Sequence, residues 1–149
     1  MSAKERVLER ERKRGKADAQ EIQTKAPEMT GTELYAMNDR IPRFYAACAR
    51  MNMLDRSAGF ICLSPAGRVV KLLQPYDSDV FTQEPEALVS LWGFVWSTDP
   101  AKALPFVAIS TSPYNTGDCC THEGKTWRSG QDGNVWAPGT PGVKWEVAN

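Results

Sequence analysis

The last third of the chain limits most strongly what this sequence can fold into. Between residues 114 and 145 it holds Gly117, Gly124 and three Asp-Gly or Pro-Gly pairs, and aromatic residues recur among them. Such closely spaced turn residues leave no room for a long helix and predict short strands joined by turns. We expect residues 118–121 and 125–128 to form the two arms of a hairpin.

A second β region precedes this stretch. Residues 60–63 and 68–73 flank the turn sequence Ser-Pro-Ala-Gly and predict a hairpin. Residues 92–96 and 106–109 predict two further strands, and a long polar loop fills the interval after residue 73. The sequence therefore predicts a first β module over residues 57–112 and a second over 113–149.

The two β regions share a weak internal repeat. Gly59, Gly67 and Trp92 correspond in order to Gly117, Gly124 and Trp145, and the two glycines of each set are eight and seven positions apart, respectively. We interpret this as a tandem pair of similar units. The fold class that follows is mainly β, with one or two small antiparallel modules.

A charge-dense segment leads into these modules. Residues 1–28 hold eight Lys or Arg and six Asp or Glu, with proline absent before Pro27. The composition favours a helix, but apolar residues are few, so two interpretations stay open: a solvated or disordered arm, or an anchoring helix that orders against a partner. The candidate anchor residues are Val7, Leu8 and Ile22. Residues 29–56 are a connecting segment in which 44–54 form a short helix or already enter the first β unit.

Composition and charge argue against several classes of function. The net charge is zero, which argues against a nucleic-acid binder. No apolar run reaches the roughly 20 residues that a membrane span needs, and the charged N-terminus lacks the apolar core of a signal peptide. We therefore expect synthesis in the cytoplasm and four cysteines that are free or buried thiols rather than disulfides. Cys119 and Cys120 are adjacent, a spacing that does not fit a zinc site.

Candidate catalytic groups are few. His122 is the only histidine and lies close in sequence to Cys119 and Cys120, but near neighbours on a hairpin seldom converge as a nucleophile and its base. The acidic residues of the polar loop are expected to be solvated; they are Asp77, Asp79, Glu84 and Glu86. We predict a protein that is not an enzyme and needs no cofactor or metal.

The C-terminal pattern resembles the small chitin-binding modules (family 5/12 type) that are attached to bacterial glycan hydrolases. Tyr114, Gly117-Asp118, Gly124-Lys125, Trp127 and Trp145 fill the places of that pattern. The resemblance implies carbohydrate binding by ring stacking, but the aromatic usually found just after the second hairpin strand is missing here. The implied candidate sugar-binding residues are Trp136, Trp127, Tyr114, Gln131, Asn134 and Trp145. At least one of Trp127 and Trp145 is expected to be core, because so small a unit buries little else.

The wider sequence is similar to structural proteins of phages and prophages of Gram-positive bacteria. The segments that carry this similarity are 30–42, 71–76 and 92–103. It implies a fibre, tail-tip or head-decoration protein, made in the host cytoplasm and assembled into the virion. Expected partners are other capsid or tail proteins, cell-surface polysaccharide and further copies of the same chain in a homo-oligomer. The alternative is an architectural decoration or cementing protein that binds no sugar.

Overall fold

The computed structural model describes residues 2–148, with all of their side chains except those of residues 8 and 11–19. Three α-helices come first and seven short strands follow. The helices are α1 (Ala3–Lys25), α2 (Gly31–Ala36) and α3 (Phe44–Arg50). The strands are β1 (Ile61–Leu63), β2 (Val69–Leu72), β3 (Trp92–Phe94), β4 (Leu104–Pro105), β5 (Cys119–His122), β6 (Lys125–Ser129) and β7 (Trp145–Val147). Single turns of 3₁₀ helix lie at Ala26–Glu28, Asn38–Arg40, Met53–Asp55, Pro85–Ala87 and Pro100–Lys102.

The strands form two sheets. The first is antiparallel in the order β1-β2-β3, and the second has the order β4-β5-β6-β7 with β4 parallel to β5. Both predicted hairpins are confirmed. The prediction of a mainly β protein is met only in part, since α1 has 23 residues and the longest strand has five, which makes this a small mixed helix and β protein.

One predicted strand is wrong. Residues 106–109 are not in a strand, and the strand of this region is the two-residue β4 just before them. The Phe106 N–H still donates to the Thr121 carbonyl at 2.9 Å, but the next N–H, that of Val107, donates to the hydroxyl of Tyr114. Because alternate residues of a strand face its partner, the Val107 N–H points away from β5, and the pairing with β5 ends after Phe106.

The predicted repeat has a structural counterpart in the two sheets. Gly59 and Gly117 have φ values of 98° and 97°, a left-handed conformation that favours glycine. Each donates its N–H to the far strand of the hairpin that follows it, Gly59 to Leu72 and Gly117 to Ser129. In both sheets the third strand of the meander begins with the matched tryptophan.

Helix α1 is joined to the first sheet by its last turns. Ser2 and Glu5 form a capping box at its start, and Ile22 near its end is buried. The Gln23 side chain donates to the Ile61 carbonyl at 2.7 Å and accepts from the Ile61 N–H at 2.9 Å. Because Ile61 lies in an edge strand, the Gln23 amide covers backbone groups that would otherwise be exposed there.

The three anchor candidates therefore differ. Ile22 is 1% exposed and packs inside the protein, which corrects its assignment as a contact for an external partner. Val7 is 51% exposed and stays a candidate. The side chain of Leu8 lies outside the part that the structure describes.

The connecting segment packs against the sheets through α2 and α3. The Tyr35 hydroxyl donates to the Val95 carbonyl at 2.8 Å and accepts from the Val69 N–H at 3.1 Å, and burial raises the pKa of Tyr35 to about 12. At the start of α2 the backbone is so close to the Trp96 carbonyl oxygen that a Cβ on Gly31 would overlap it. Residues Phe44–Arg50 form a helix, which decides between the two alternatives for this stretch.

The main core runs from the first sheet into the second. Its clearest part is an aromatic stack, defined as the rings of Phe94, Trp96, Tyr114 and Phe106 in that order. Successive rings lie 6.0, 4.3 and 5.4 Å apart between centroids and within 20° of parallel. A smaller core under α1 and α2 contains Ile22, Ala26, Leu34, Tyr35, Ile41, Ile61 and Val69.

The acidic residues of the polar loop are not all solvated, which corrects the expectation for one of them. Glu86 pairs with buried Arg68 at 3.1 Å and its side chain is 20% exposed. The same Arg68 donates to the Pro105 carbonyl at 2.7 Å. This pair therefore ties β2 to the turn at Pro85–Ala87 and to β4 of the other sheet.

Candidate functional site

Two of the candidate sugar-binding residues are buried. Tyr114 is 1% exposed, with Trp96 on one face of its ring and Phe106 on the other, and this burial raises the pKa of its hydroxyl. Asn134 is 0% exposed, and its backbone N–H and carbonyl pair with those of Tyr114 at 2.8 and 2.9 Å. Neither residue has a surface that a sugar can contact, so both are corrected from binding to structural positions.

Buried Asn134 positions the one candidate with a largely exposed ring. Its side-chain carbonyl accepts from the Trp136 N–H at 3.2 Å, and its amide donates to the Ser129 hydroxyl at 3.1 Å. The indole N–H of Trp145 donates to the Trp136 carbonyl at 2.9 Å. Hydrogen bonds therefore fix the backbone of Trp136 on both sides, while the residue as a whole is 48% exposed.

Trp127 and Trp145 are only partly accessible. Both pack against the main core, in line with the expectation that at least one of them is core. The Trp127 indole N–H donates to the His122 carbonyl at 3.2 Å, inside its own hairpin. Trp145 makes edge contacts with Phe106 and Tyr114 at centroid distances of 6.2 and 5.5 Å. Trp145 thus links the aromatic stack to the backbone of Trp136.

Gln131 also has an internal partner. Its side-chain carbonyl accepts from the Lys144 N–H at 2.9 Å, which joins the two ends of the loop between β6 and β7. Its side chain is half-buried. The exposed candidate surface in this region is therefore centred on Trp136, whose carbonyl is held by Trp145.

A groove of about 490 Å³ opens at the tip of the second hairpin. It is lined by Pro105, Phe106, Thr121, His122, Glu123, Gly124, Lys125 and Thr126. The tip is a two-residue turn in which Glu123 and Gly124 have φ values of 51° and 77°, as a type I′ turn requires. The lining combines one aromatic ring with hydroxyl, imidazole, carboxylate and ammonium groups, a mixture suited to a polar ligand.

Two side chains that shape the loop around Trp136 could not be identified from local sequence patterns. The Asp132 carboxylate accepts from the Thr116 N–H at 2.9 Å, and this bond lowers the pKa of Asp132. The Asn115 side-chain carbonyl accepts from the Gly133 N–H at 3.1 Å. Both close the loop from a distant part of the chain, so their partners are set by the fold rather than by local sequence.

A second surface was also missed. Its members are exposed apolar side chains on two segments that hydrogen-bond to each other, and we call it the apolar surface. It comprises Tyr45, Met51, Leu54, Val80 and Phe81. Asn52 donates to Asp77 at 2.9 Å and to Asp79 at 3.1 Å, and the Tyr45 hydroxyl donates to Glu84 at 2.8 Å. These bonds hold the segments in place while their apolar side chains stay exposed.

The thiols near His122 are poorly placed for nucleophilic chemistry. Cys120 is fully buried and burial raises its pKa to about 12. Burial also raises the pKa of Cys119, whose Sγ lies 3.6 Å from the Thr98 and Gly117 carbonyl oxygens. A raised pKa disfavours the thiolate that attacks substrates or binds metals. All four cysteines are free thiols.

Comparisons with protein families, with characterised proteins and with solved structures find no match to this chain. Within residues 2–148 there is no helix long and apolar enough to cross a membrane. The same part of the chain contains no group of three or more His, Cys, Asp or Glu side chains arranged to hold a metal ion.

Proposed function

We propose that this protein is a non-enzymatic structural or adhesion component of a virion, and that its C-terminal unit contacts cell-surface polysaccharide through Trp136. The observation that supports a binding role is that Trp136 has a backbone held by hydrogen bonds although the residue is 48% exposed. The virion assignment rests on the sequence resemblance described above.

The chemistry of Trp136 suits a sugar. An indole face stacks on the C–H face of a pyranose ring, and a backbone that is already held in place reduces the entropy lost on binding. One such contact gives weak affinity, on the order of millimolar, and many copies on one particle multiply it. Weak individual sites are therefore sufficient for adhesion by a virion.

The binding test compares two exposed aromatics in the full chain. Wild type, Trp136→Ala and Tyr45→Ala are incubated with chitin and with host cell walls, and the bound fraction is measured. Tyr45 is a matched control because it is 59% exposed and lies on the apolar surface, away from the C-terminal unit. We expect Trp136→Ala to lower binding at least about tenfold and Tyr45→Ala to leave it unchanged. Equal binding by wild type and Trp136→Ala, or no binding by wild type, would refute the sugar assignment.

The docking part of the proposal concerns the first turns of α1. Residues 2–7 are exposed, whereas Ile22, Gln23 and Ala26 are part of the folded body. Deleting residues 2–17 removes the first turns of α1 and leaves Asp18 as an N-cap for the remaining turns of the helix. We expect this variant to keep the wild-type melting temperature but to be lost from purified particles. Incorporation at the wild-type level would contradict docking through α1.

The apolar surface supports the second candidate function, an architectural protein that contacts neighbouring virion subunits and binds no sugar. Aromatic and Met side chains are enriched at the centres of protein interfaces. If this function is correct, Phe81→Ser and Leu54→Ser will reduce incorporation into particles, and Trp136→Ala will have no effect on adhesion. The two sets of variants therefore separate the two functions.

A further inference from the structure

The outer edges of the two sheets differ in whether other residues of the chain cover their backbone groups. The outer edge of β1 is covered by Gln23, and the Leu63 N–H next to it donates to the Pro42 carbonyl at 2.8 Å. At the outer edge of β3, the Phe94 N–H donates to the Ser112 hydroxyl at 2.9 Å. At β4, Pro105 has no N–H and its carbonyl accepts from Arg68. Three of the four edges are thus covered by the protein's own residues.

The outer edge of β7 differs. Gly130 donates to the Lys144 carbonyl and Ala148 donates to the Thr126 carbonyl, so the backbone groups of alternate β7 residues point toward β6. By that alternation, the N–H and carbonyl groups of Trp145 and Val147 point away from the sheet. No residue within the described range 2–148 bonds to them, and Val147 is 51% exposed.

The side chains along this edge suggest what covers it. Lys144, just before β7, and Glu146, within it, are both exposed and carry opposite charges. Because they are two residues apart, their side chains lie on the same face of the extended chain. Single charges on an edge usually prevent strand pairing. A pair with opposite signs at this spacing instead complements itself when a second copy approaches antiparallel.

The register of that pairing follows from the outward groups. If Trp145 lies opposite Trp145 of a second copy, their N–H and carbonyl groups exchange two hydrogen bonds, and Val147 N–H reaches the Val143 carbonyl of the second copy. Lys144 then lies directly opposite Glu146 of the second copy, and the twofold axis repeats this pair. In the non-hydrogen-bonded positions side chains are closest, so the charges attract strongly there. If the second copy were shifted by two residues along β7, Glu146 would instead lie opposite Glu146 of that copy, and the two like charges would repel.

We propose that two copies of this chain associate through β7 in this antiparallel register, which joins their second sheets into one sheet of eight strands. Each dimer carries two Trp136 rings. The pairing is independent of whether those rings bind sugar, so failure of either proposal leaves the other open to its own test.

The experiment is a charge-swap series on the full chain, measured by sedimentation velocity from about 1 μM to about 1 mM, a range that spans dimers of weak to moderate affinity. Lys144→Glu and Glu146→Lys each create like-charge pairs and are expected to weaken dimerisation at least about tenfold. The double swap Lys144→Glu/Glu146→Lys restores opposite pairs and is expected to regain the wild-type dissociation constant within about threefold. Lys125→Glu is the matched control, since Lys125 is exposed but lies at the hairpin tip.

A backbone variant and an independent measurement complete the test. Val147→Pro removes an outward N–H without breaking a bond to β6, so it should give a folded monomer by circular dichroism and sedimentation. In wild type, amide hydrogen exchange of Trp145 and Val147 should slow as concentration rises. A wild type that stays monomeric up to about 1 mM would overturn the proposal. So would a dimer that Val147→Pro leaves intact, or a double swap as weak as the single reversals.

Discussion

The attachment of α1 to the first sheet depends on one side chain, and its removal gives a sharp prediction. Gln23 makes two hydrogen bonds to the backbone of Ile61, at 2.7 and 2.9 Å, in a half-buried position. Gln23→Met keeps the length and the helix propensity of the side chain but has no amide. The variant therefore leaves the Ile61 N–H and carbonyl without these partners and changes little else.

The magnitude follows from those two bonds. Each contributes about 0.5–1.5 kcal/mol net, so the free energy of unfolding should fall by about 1–3 kcal/mol. For a chain of this size, that corresponds to a fall in melting temperature of roughly 3–9 °C. Gln20→Met is the matched control, because Gln20 is an exposed glutamine one turn earlier in the same helix. It should shift the melting temperature by less than about 2 °C.

Two measurements check this prediction. Urea and thermal unfolding give the difference in stability between Gln23→Met and Gln20→Met, and amide hydrogen exchange reports Ile61 directly. We expect the Ile61 amide to lose protection in Gln23→Met alone. If the two variants unfold within about 0.5 kcal/mol of each other and Ile61 exchange is unchanged, the Gln23 amide does not hold α1 to the sheet.

Two further predictions concern a turn and a carboxylate. Glu123 has a φ of 51°, which a residue other than glycine or asparagine adopts at a cost. Glu123→Asn should therefore raise the free energy of unfolding by about 0.5–1 kcal/mol, whereas the control Glu123→Gln, which removes only the charge, should not. Equal stabilisation by both variants in urea unfolding would contradict a conformational cause. Hydrogen bonding from Asn52 lowers the pKa of Asp77, so its contribution to stability is present above the pKa of the unfolded chain and is lost as pH falls through the folded value. Asp77→Asn should therefore lose less stability than wild type between about pH 4.5 and pH 2, measured by urea unfolding at each pH, and parallel curves would count against it.

Local patterns predicted the two hairpins because their causes are local. Left-handed glycines at Gly67 and Gly124 lie in the turns where the chain reverses, and short apolar runs such as residues 60–63 flank the first of these turns. The helical composition of the first 25 residues likewise predicts α1, which the capping box of Ser2 and Glu5 begins. These features need no information about distant residues.

The candidate site was harder to predict because burial depends on distant partners. Tyr114 and Asn134 have the residue types of a sugar site, yet Trp96, Phe106 and the Tyr114–Asn134 bridge bury them. The strand expected at 106–109 is absent, and the pairing with β5 ends after the Phe106 N–H. Among the candidate sugar-binding residues, only Trp136 is as exposed as the binding interpretation requires.

The position of Trp136 depends on both halves of the β region. Its carbonyl is held by Trp145, Trp145 packs on Tyr114, and Tyr114 is covered on one face by Trp96, which follows β3 of the first sheet. Residues 113–149 alone would lack Trp96 and Phe106, so both faces of the Tyr114 ring would be uncovered. The hydrogen bond that orients Trp136 would then lose its support. If the C-terminal unit binds sugar as we propose, that binding therefore depends on the whole chain, and substitutions in the aromatic stack should weaken it although those side chains do not contact the ligand.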